Sequence, residues 1–337
     1  MEDKYQKNLE TIRLYSKQLN QSWQEIQKIN FPEEYKNVEN VVFCGMGGSG
    51  LGERMVDSLY EREMKVPMEL FSGYSLPRYA SEKSLLILSS YSGNTEEIMA
   101  CAKEAKERNT KVIGISTGGD LAKFLEEENY PNCVFEPKYN PSGQPRMALG
   151  YSAGSLLCIL GKLNLIDFSE EKLNQALAGM KLGNNLEKAT TFAKNLEEKI
   201  VLIIASEHLV GTAHAIKNMF NESAKTMAAF FDLPELNHYL MEGLAYPKSN
   251  KENLKFIFVE SSLYGKRVQK RYPLTRDVVR KQDISYLEIK LRGETKMAQT
   301  FELLTLGSLM VYALTKIYGI DPIKIPWVDY FKKEMEK

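Results

Sequence analysis

The sequence predicts an α/β protein built as two tandem three-layer αβα domains with parallel sheets. Three observations carry that expectation. Short apolar runs alternate with amphipathic helical stretches, the mark of β-α-β units. The alternation lapses into a mainly helical stretch and then resumes. And the length, 337 residues, exceeds one ordinary core and fits about two domains.

Residues 1–30 are polar with spaced apolar positions: Leu9, Ile12, Leu14, Leu19, Trp23, Ile26 and Ile29. They read as a helical preamble that Pro32 ends. Residues 41–44 are a short apolar run, read as a buried strand. A glycine loop follows, then a helix with Leu51, Met55, Val56 and Leu59 on one side. Further strands are expected at "VPMELF", "SLLILSS", "KVIGIST" and "CVFEP". The helices between them run from "YSGNTEE" through Ala105 and over "DLAKFLEEE". The loop "YNPSGQPR" closes this domain near Pro145.

Residues 148–200 read as helices. Strands resume at "KIVLIIAS", "KTMAAFF", "LKFIFVES" and "SYLEIKL", before the long helix "KMAQTFELLTLGSLMVYALTKIYG". The expected division is a helical segment over 1–40, a first α/β domain over 41–150, a helical connection over 151–195 and a second α/β domain over 196–337.

Composition excludes several classes. Apolar residues are 43% and charged residues 26%, as in ordinary soluble proteins. Lys plus Arg equals Asp plus Glu at 44 each, so there is no footprint for nucleic acid or an anionic membrane. A local basic pocket can still bind an anion. Cys44, Cys101, Cys133 and Cys158 are far apart, as expected of reduced, buried thiols in a cytoplasmic protein. No secretory h-region is visible, and no apolar run is expected to span a membrane. Three histidines without a Cys/His cluster argue against a zinc site.

Two loops carry the chemistry. In "FCGMGGSGLGE", Gly45, Gly47 and Gly50 spell G-x-G-x-x-G. Such a strand-loop-helix turn aims backbone N–H groups and a helix dipole at an anion. Gly47 and Gly48 allow positive φ or close approach, and Ser49 adds a hydroxyl. A dinucleotide site needs an acid about 20 residues on, at the end of the second strand. Glu69 has that distance but lies inside its strand. A smaller phosphate fits better.

The second loop, "SSYSGNTEE", follows the third strand. It offers Ser89, Ser90, Ser92 and Thr95 around a Gly93-Asn94 turn. Hydroxyls and amides at a helix N-terminus suit the oxygens of one phosphate. One of these hydroxyls, Ser92 or Thr95, is also expected to cap the helix.

"CGMGGSG" with "SYSGNTEE" resembles the sugar isomerase (SIS) fold, whose serine and threonine loop holds a sugar phosphate. More narrowly, the chain resembles the bifunctional phosphoglucose/phosphomannose isomerases from about Val41 to Lys332. That resemblance implies an aldose-ketose isomerase. It would interconvert glucose 6-phosphate, and mannose 6-phosphate, with fructose 6-phosphate through an enediolate, with no metal or nucleotide cofactor. Gly47, Gly48, Ser49, Ser90, Ser92 and Thr95 would bind the substrate.

Isomerisation needs acid/base help for ring opening, a base between C1 and C2, and positive charge for the enediolate. The residues match in turn. Glu222, in "FNESAK", falls at the edge of a helical core stripe of Ile216, Met219, Phe220, Ser223 and Met227. A semi-buried carboxylate there suits proton transfer, and the resemblance makes it the base. Arg146, in "GQPRMALGYS", matches the family's P-P-R-A-A-L-G-Y and would stabilise the enediolate. His238 would assist ring opening, supplied by a neighbouring subunit. Tyr239 and Leu240 stand where the family often has Asn-Glu, with Glu242 shortly after. Lys332 matches the lysine of the family's P-x-I-x-x-L-K ending, again for ring opening. Ile325 would lie near C2. His208 and His214 read as packed side chains.

The expected partners are a sugar phosphate and a second copy of the chain, with the site near the subunit interface. Two alternatives remain at this level. A non-catalytic sugar-phosphate sensor would use the serine loop alone. A dinucleotide-dependent oxidoreductase would need the missing ribose acid.

Overall fold

Two separate parallel sheets carry the chain. They are seen in a computed structural model that describes residues 1–335. The residues group into two units. One is Leu14–Ala178; the other joins Met1–Arg13 to the chain from Gly179 on.

The chain opens with α1 (Glu2–Arg13) and α2 (Tyr15–Ile26). Then come β1 (Asn40–Gly45), α3 (Leu51–Tyr60), β2 (Met68–Phe71), β3 (Ser84–Ser90) and α4 (Glu96–Glu107). β4 (Lys111–Ser116), α5 (Gly119–Glu127), β5 (Asn132–Val134) and α6 (Leu149–Lys162) follow. The first sheet has the order β2-β1-β3-β4-β5, and every pairing is parallel. β3 is buried at all positions. A strand covered on both faces must be apolar throughout, which is why "SLLILSS" shows no alternation.

α7 (Glu170–Gly179) and α8 (Asn185–Lys194) lead to the second series. It runs β6 (Ile200–Ala205), α9 (Val210–Glu222), β7 (Ala228–Asp232), the short α10 (Leu240–Gly243) and α11 (Asn250–Asn253), and β8 (Leu254–Glu260). α12 (Lys266–Lys281), β9 (Ser285–Lys290), α13 (Lys296–Ile317) and α14 (Pro326–Met335) complete it. The second sheet is parallel with the order β7-β6-β8-β9. The two α/β series expected from the sequence are therefore present, each with a parallel sheet.

In this sheet the chain leaves β6 toward β7 and β8 toward β9, in opposite directions. Right-handed crossovers then put α9 and α12 on opposite faces. The contacts agree: α9 packs with α13, and α12 packs with α10.

Two expectations are corrected. α13 is long and apolar enough to cross a membrane by length and composition alone, contrary to the reading that no run is. Of its most apolar 18-residue stretch 94% is buried inside the protein, and a helix apolar all round is what a core position requires. Met227 does not continue the α9 stripe. The helix stops at Glu222, Lys225 turns with φ 52°, and Met227 is 64% exposed just before β7. All four cysteines are buried and unbridged.

Gln18 on α2 fixes the loop that precedes α6. It is fully buried. Its Nε2 donates to the carbonyls of Tyr139 (3.0 Å) and Met147 (3.1 Å), and its Oε1 accepts from the Gly150 N–H (3.1 Å). Gln18→Met keeps the volume but leaves three backbone groups without that partner. We expect it to cost about 3 kcal/mol, at about 1–3 per buried group less relaxation, read as a lower denaturation midpoint in urea.

Candidate active site

The glycine loop leaves β1 at Gly45 and turns through Gly47–Gly50 into α3. Gly47 has φ +51 with open space around it. Gly48 is enclosed. A Cβ there would meet the Arg146 nitrogen at 2.5 Å and the Pro145 carbonyl carbon at 2.8 Å. Its bare Cα therefore lets the Arg146 turn lie directly on the loop. Ser49 ties the loop to its neighbour: its Oγ accepts from the Tyr91 N–H (2.9 Å) and its carbonyl from Ser89 Oγ (3.3 Å). Beneath lies a cavity of only about 10 Å³, lined by Gly48, Ser49, Tyr91, Phe135 and Pro145 among others.

The hydroxyl loop is arranged differently from a capped helix start. Thr95 occupies the N-cap of α4 but makes no side-chain capping bond. Its Oγ1 pairs instead with Ser90 Oγ at 2.8 Å, and Ser90 Oγ also accepts from the Gly93 N–H (3.0 Å). Ser92 Oγ accepts from the Asn94 N–H at 3.2 Å. The expected cap is thus absent, because buried Ser90 claims the Thr95 hydroxyl. The first turn of α4 keeps its N–H groups for an anion.

The next loop braces this one. Thr117 Oγ1 donates to the Tyr91 carbonyl (2.7 Å), the Asp120 N–H to Asn94 Oδ1 (3.0 Å), and the Leu121 N–H to the Gly93 carbonyl (2.9 Å). Gly93 has φ +74, and a side chain there would run into the Gly118 carbonyl.

Arg146 is only 2% exposed. Its Nη1 donates to Gln144 Oε1 at 2.8 Å. Glycine loop, hydroxyl loop and Arg146 thus converge in one unit, at the carboxyl ends of β1 and β3. This is the topological switch point, where open α/β sheets bind ligands.

Glu69 does not fit a ribose. It is exposed in mid-strand, beside Val42, and accepts from the Tyr79 hydroxyl.

The other expected residues lie in the second unit. Glu222 is the last residue of α9 and is half-buried. His238 ends the turn Glu235–His238 and is exposed. That turn is held against α12, where Asn237 Nδ2 donates to Thr275 Oγ1 (2.9 Å). Since α9 and α12 cover opposite faces, the unit does not bring Glu222 and His238 together. Lys332 is exposed on α14. The segment leading there starts on the Glu222 side: Lys225 Nζ donates to the Asp321 carbonyl (2.9 Å).

His208 is packed, as expected. It is 2% exposed, pairs with Gln299 Oε1 at 3.1 Å, and burial lowers its pKa to about 4. His214 packs edge-on to Phe230.

The second unit has its own loop at the matching place, "SSLYG" after β8. Here the anion's position is taken from within. The Gly265 N–H at the start of α12 donates to Glu207 Oε1 (2.9 Å), and Ser261 Oγ donates to Gln299 Oε1 (2.5 Å).

Several residues of the site were not visible in the sequence. Tyr91, Thr117 and Asn140 act through partners distant along the chain, and Gln144 through near neighbours that only the folded turn brings into reach. Glu53, inside the glycine motif, carried a signal that was read only as part of a turn.

The comparisons agree with this architecture. Residues 185–335 match the family model described as the bacterial phospho-glucose isomerase C-terminal SIS domain. A bifunctional phosphoglucose/phosphomannose isomerase of Caldicellulosiruptor bescii is 28% identical, covering 97% of this chain and 98% of its own. A D-glucosamine-6-phosphate 4-epimerase of Sulfolobus acidocaldarius is 30% identical over 64% of this chain and 67% of its own. In structure, the C-terminal domain of glucosamine-fructose-6-phosphate aminotransferase from Francisella tularensis superposes with a TM-score of 0.75. It is 13% identical and covers 94% of this chain and 97% of its own, which speaks to the fold alone.

Glu53 makes the site unit sensitive to pH. It is 3% exposed, and Oε2 has no hydrogen-bond partner. Burial is the main cause that raises its pKa from 4.5 to about 8. Below pH 4.5 the carboxyl is protonated whether folded or unfolded. Between 4.5 and about 8 only the unfolded chain ionises, so stability falls as pH rises through that window. Glu53→Gln stays neutral throughout. It should be more stable than the parent at pH 8.5, by on the order of a few kcal/mol, and converge with it near pH 4.5. Chemical denaturation at the two pH values reads the difference; equal stability at both would remove Glu53 as the cause.

Proposed function

The chain belongs to the bifunctional phosphoglucose/phosphomannose isomerase family, and from that premise we propose that it interconverts glucose 6-phosphate and mannose 6-phosphate with fructose 6-phosphate. The observation that carries this reading is the uncapped hydroxyl loop set beside a buried arginine. The phosphate is held by the first-turn N–H groups of α4 and the Ser92 and Thr95 hydroxyls, with Ser90 orienting Thr95. Gly47, Gly48 and Ser49 form the adjoining wall. Arg146 supplies fixed positive charge where the enediolate oxygens develop.

Glu222 is the base that carries the proton between C1 and C2. Its half-buried position limits water while leaving it reachable. Lys332 and His238 assist ring opening. His238 is on the wrong face of its own sheet to serve with Glu222, which supports its coming from a second copy in a homodimer. The exposed Trp327, Tyr330 and Phe331 of α14 suit burial against such a copy. Ile325, half-buried before the terminal helix, lies near C2 in this reading. The enzyme works in the cytoplasm, with a role in glycolysis or gluconeogenesis.

Purified protein incubated with fructose 6-phosphate should yield glucose 6-phosphate and mannose 6-phosphate, each followed separately. Sugar-phosphate binding without either product would replace this reading with a sensor, and conversion of glucosamine 6-phosphate instead would replace it with an amino-sugar enzyme. Glu222→Gln should abolish turnover while substrate affinity stays within about tenfold, or ~1.4 kcal/mol. Turnover that survives this change rules out Glu222 as the base.

A further inference from the structure

We propose that Gln144 and Asn140 are positioning residues that fix the Arg146 guanidinium and couple it to the hydroxyl loop. The inference rests on the isomerase reading above. Asn140 is 5% exposed and Ser142 7%. The two amide hydrogens of Asn140 go to the Tyr91 hydroxyl (2.9 Å) and the Gln144 carbonyl (3.0 Å). Its Oδ1 accepts from Ser142 Oγ (2.6 Å), and Ser142 Oγ accepts from the Gln144 N–H (3.3 Å). Both backbone groups of Gln144 are therefore held, and its side chain is directed to Arg146 Nη1 at 2.8 Å.

This arrangement does two things. A guanidinium on a flexible stem has many rotamers, and a fixed acceptor selects one of them through a charge-assisted bond. The Gln144 amide is neutral, so this bond orients the guanidinium without itself cancelling the charge. A carboxylate in its place would neutralise the cation that the enediolate needs.

The path also reaches the phosphate. Tyr91 lies inside the hydroxyl loop, and its N–H is bound by Ser49 Oγ. Phosphate loop, glycine loop and arginine are thus set as one unit, and small misplacements at such a site cost up to about 10²-fold in rate.

The test is steady-state kinetics with two binding probes. Inorganic phosphate reports the hydroxyl loop. A pentonic acid 5-phosphate reports Arg146, because its carboxylate copies the charge of the enediolate. Gln144→Ala should lower kcat and pentonate affinity at least about tenfold, ~1.4 kcal/mol, with KM and inorganic phosphate affinity within about threefold. Gln144→Met, which fills the space without an acceptor, should be as defective. Tyr91→Phe combined with Gln144→Ala should cost less than the sum of the two.

Restored turnover in Gln144→Met would show a packing role and overturn the proposal. So would parallel loss of phosphate affinity in Gln144→Ala, or strict additivity with Tyr91→Phe. Arg146→Met is the control. If it keeps full turnover, the role of the arginine in the isomerase reading fails; if it is inactive while Gln144→Ala is normal, positioning alone fails. Should the parent lack isomerase activity, the pentonate and phosphate affinities still decide whether Gln144 sets Arg146.

Discussion

The close approach of Gly48 to the Pro145–Arg146 backbone is the constraint from which the first unit's site follows. Only a residue without a Cβ permits it. Once the turn lies on the glycine loop, Arg146 is carried into the interior, and a buried guanidinium is tolerable only when hydrogen-bonded. Gln144 answers that need. The loop that supplies Gln144 then has its own buried carbonyls and N–H groups, which Gln18 and Asn140 take up. Polar residues scattered along the sequence are thus linked by one requirement, that no buried polar group be left alone.

The two units show how one topology reaches opposite ends. In both, a serine-bearing loop follows the central strand at the switch point. In the first, the hydroxyls turn to one another and leave the helix start uncapped. In the second, Glu207 reaches the start of α12 and the serine is bound to Gln299. A carboxylate already in place discourages a second anion both by charge and by using up the donor. Fold therefore does not assign function here; a few side chains at the loop tips do.

What the sequence revealed follows the same physics. Parallel strands buried on both faces read as plain apolar runs, so β1, β3, β6 and β8 were legible almost to the residue. The glycine and hydroxyl motifs were legible because glycines and hydroxyls clustered between a strand and a helix mark such a turn locally. The expected cap by Ser92 or Thr95 failed at Thr95 because nothing in the sequence says that Ser90 would be fully buried and in reach. Met227 was placed in a helical stripe because periodicity does not mark where a helix ends. α13 was legible as one long helix but not as an apolar run of membrane-spanning length, since Thr, Ser and Gln residues interrupt a stretch that burial in the core nonetheless covers. Gln18, Asn140 and Gln144 were silent because an amide's importance lies in partners that only the fold supplies.

The placing of Glu222 and His238 bears on assembly. Proton transfer between C1 and C2 and ring opening at C1 act on neighbouring atoms, so their side chains must converge within hydrogen-bond reach of one substrate. Here α9 and the His238 turn pack on opposite faces of the same sheet, with edge strand β7 between. A change of rotamer does not carry a side chain across a sheet. If both residues act as proposed, each substrate needs Glu222 from one copy and His238 from another. A two-fold axis meets that demand for both sites at once, because what one copy lends it also receives. On the proposed roles a dimer would then be part of the chemistry, not only of the packing.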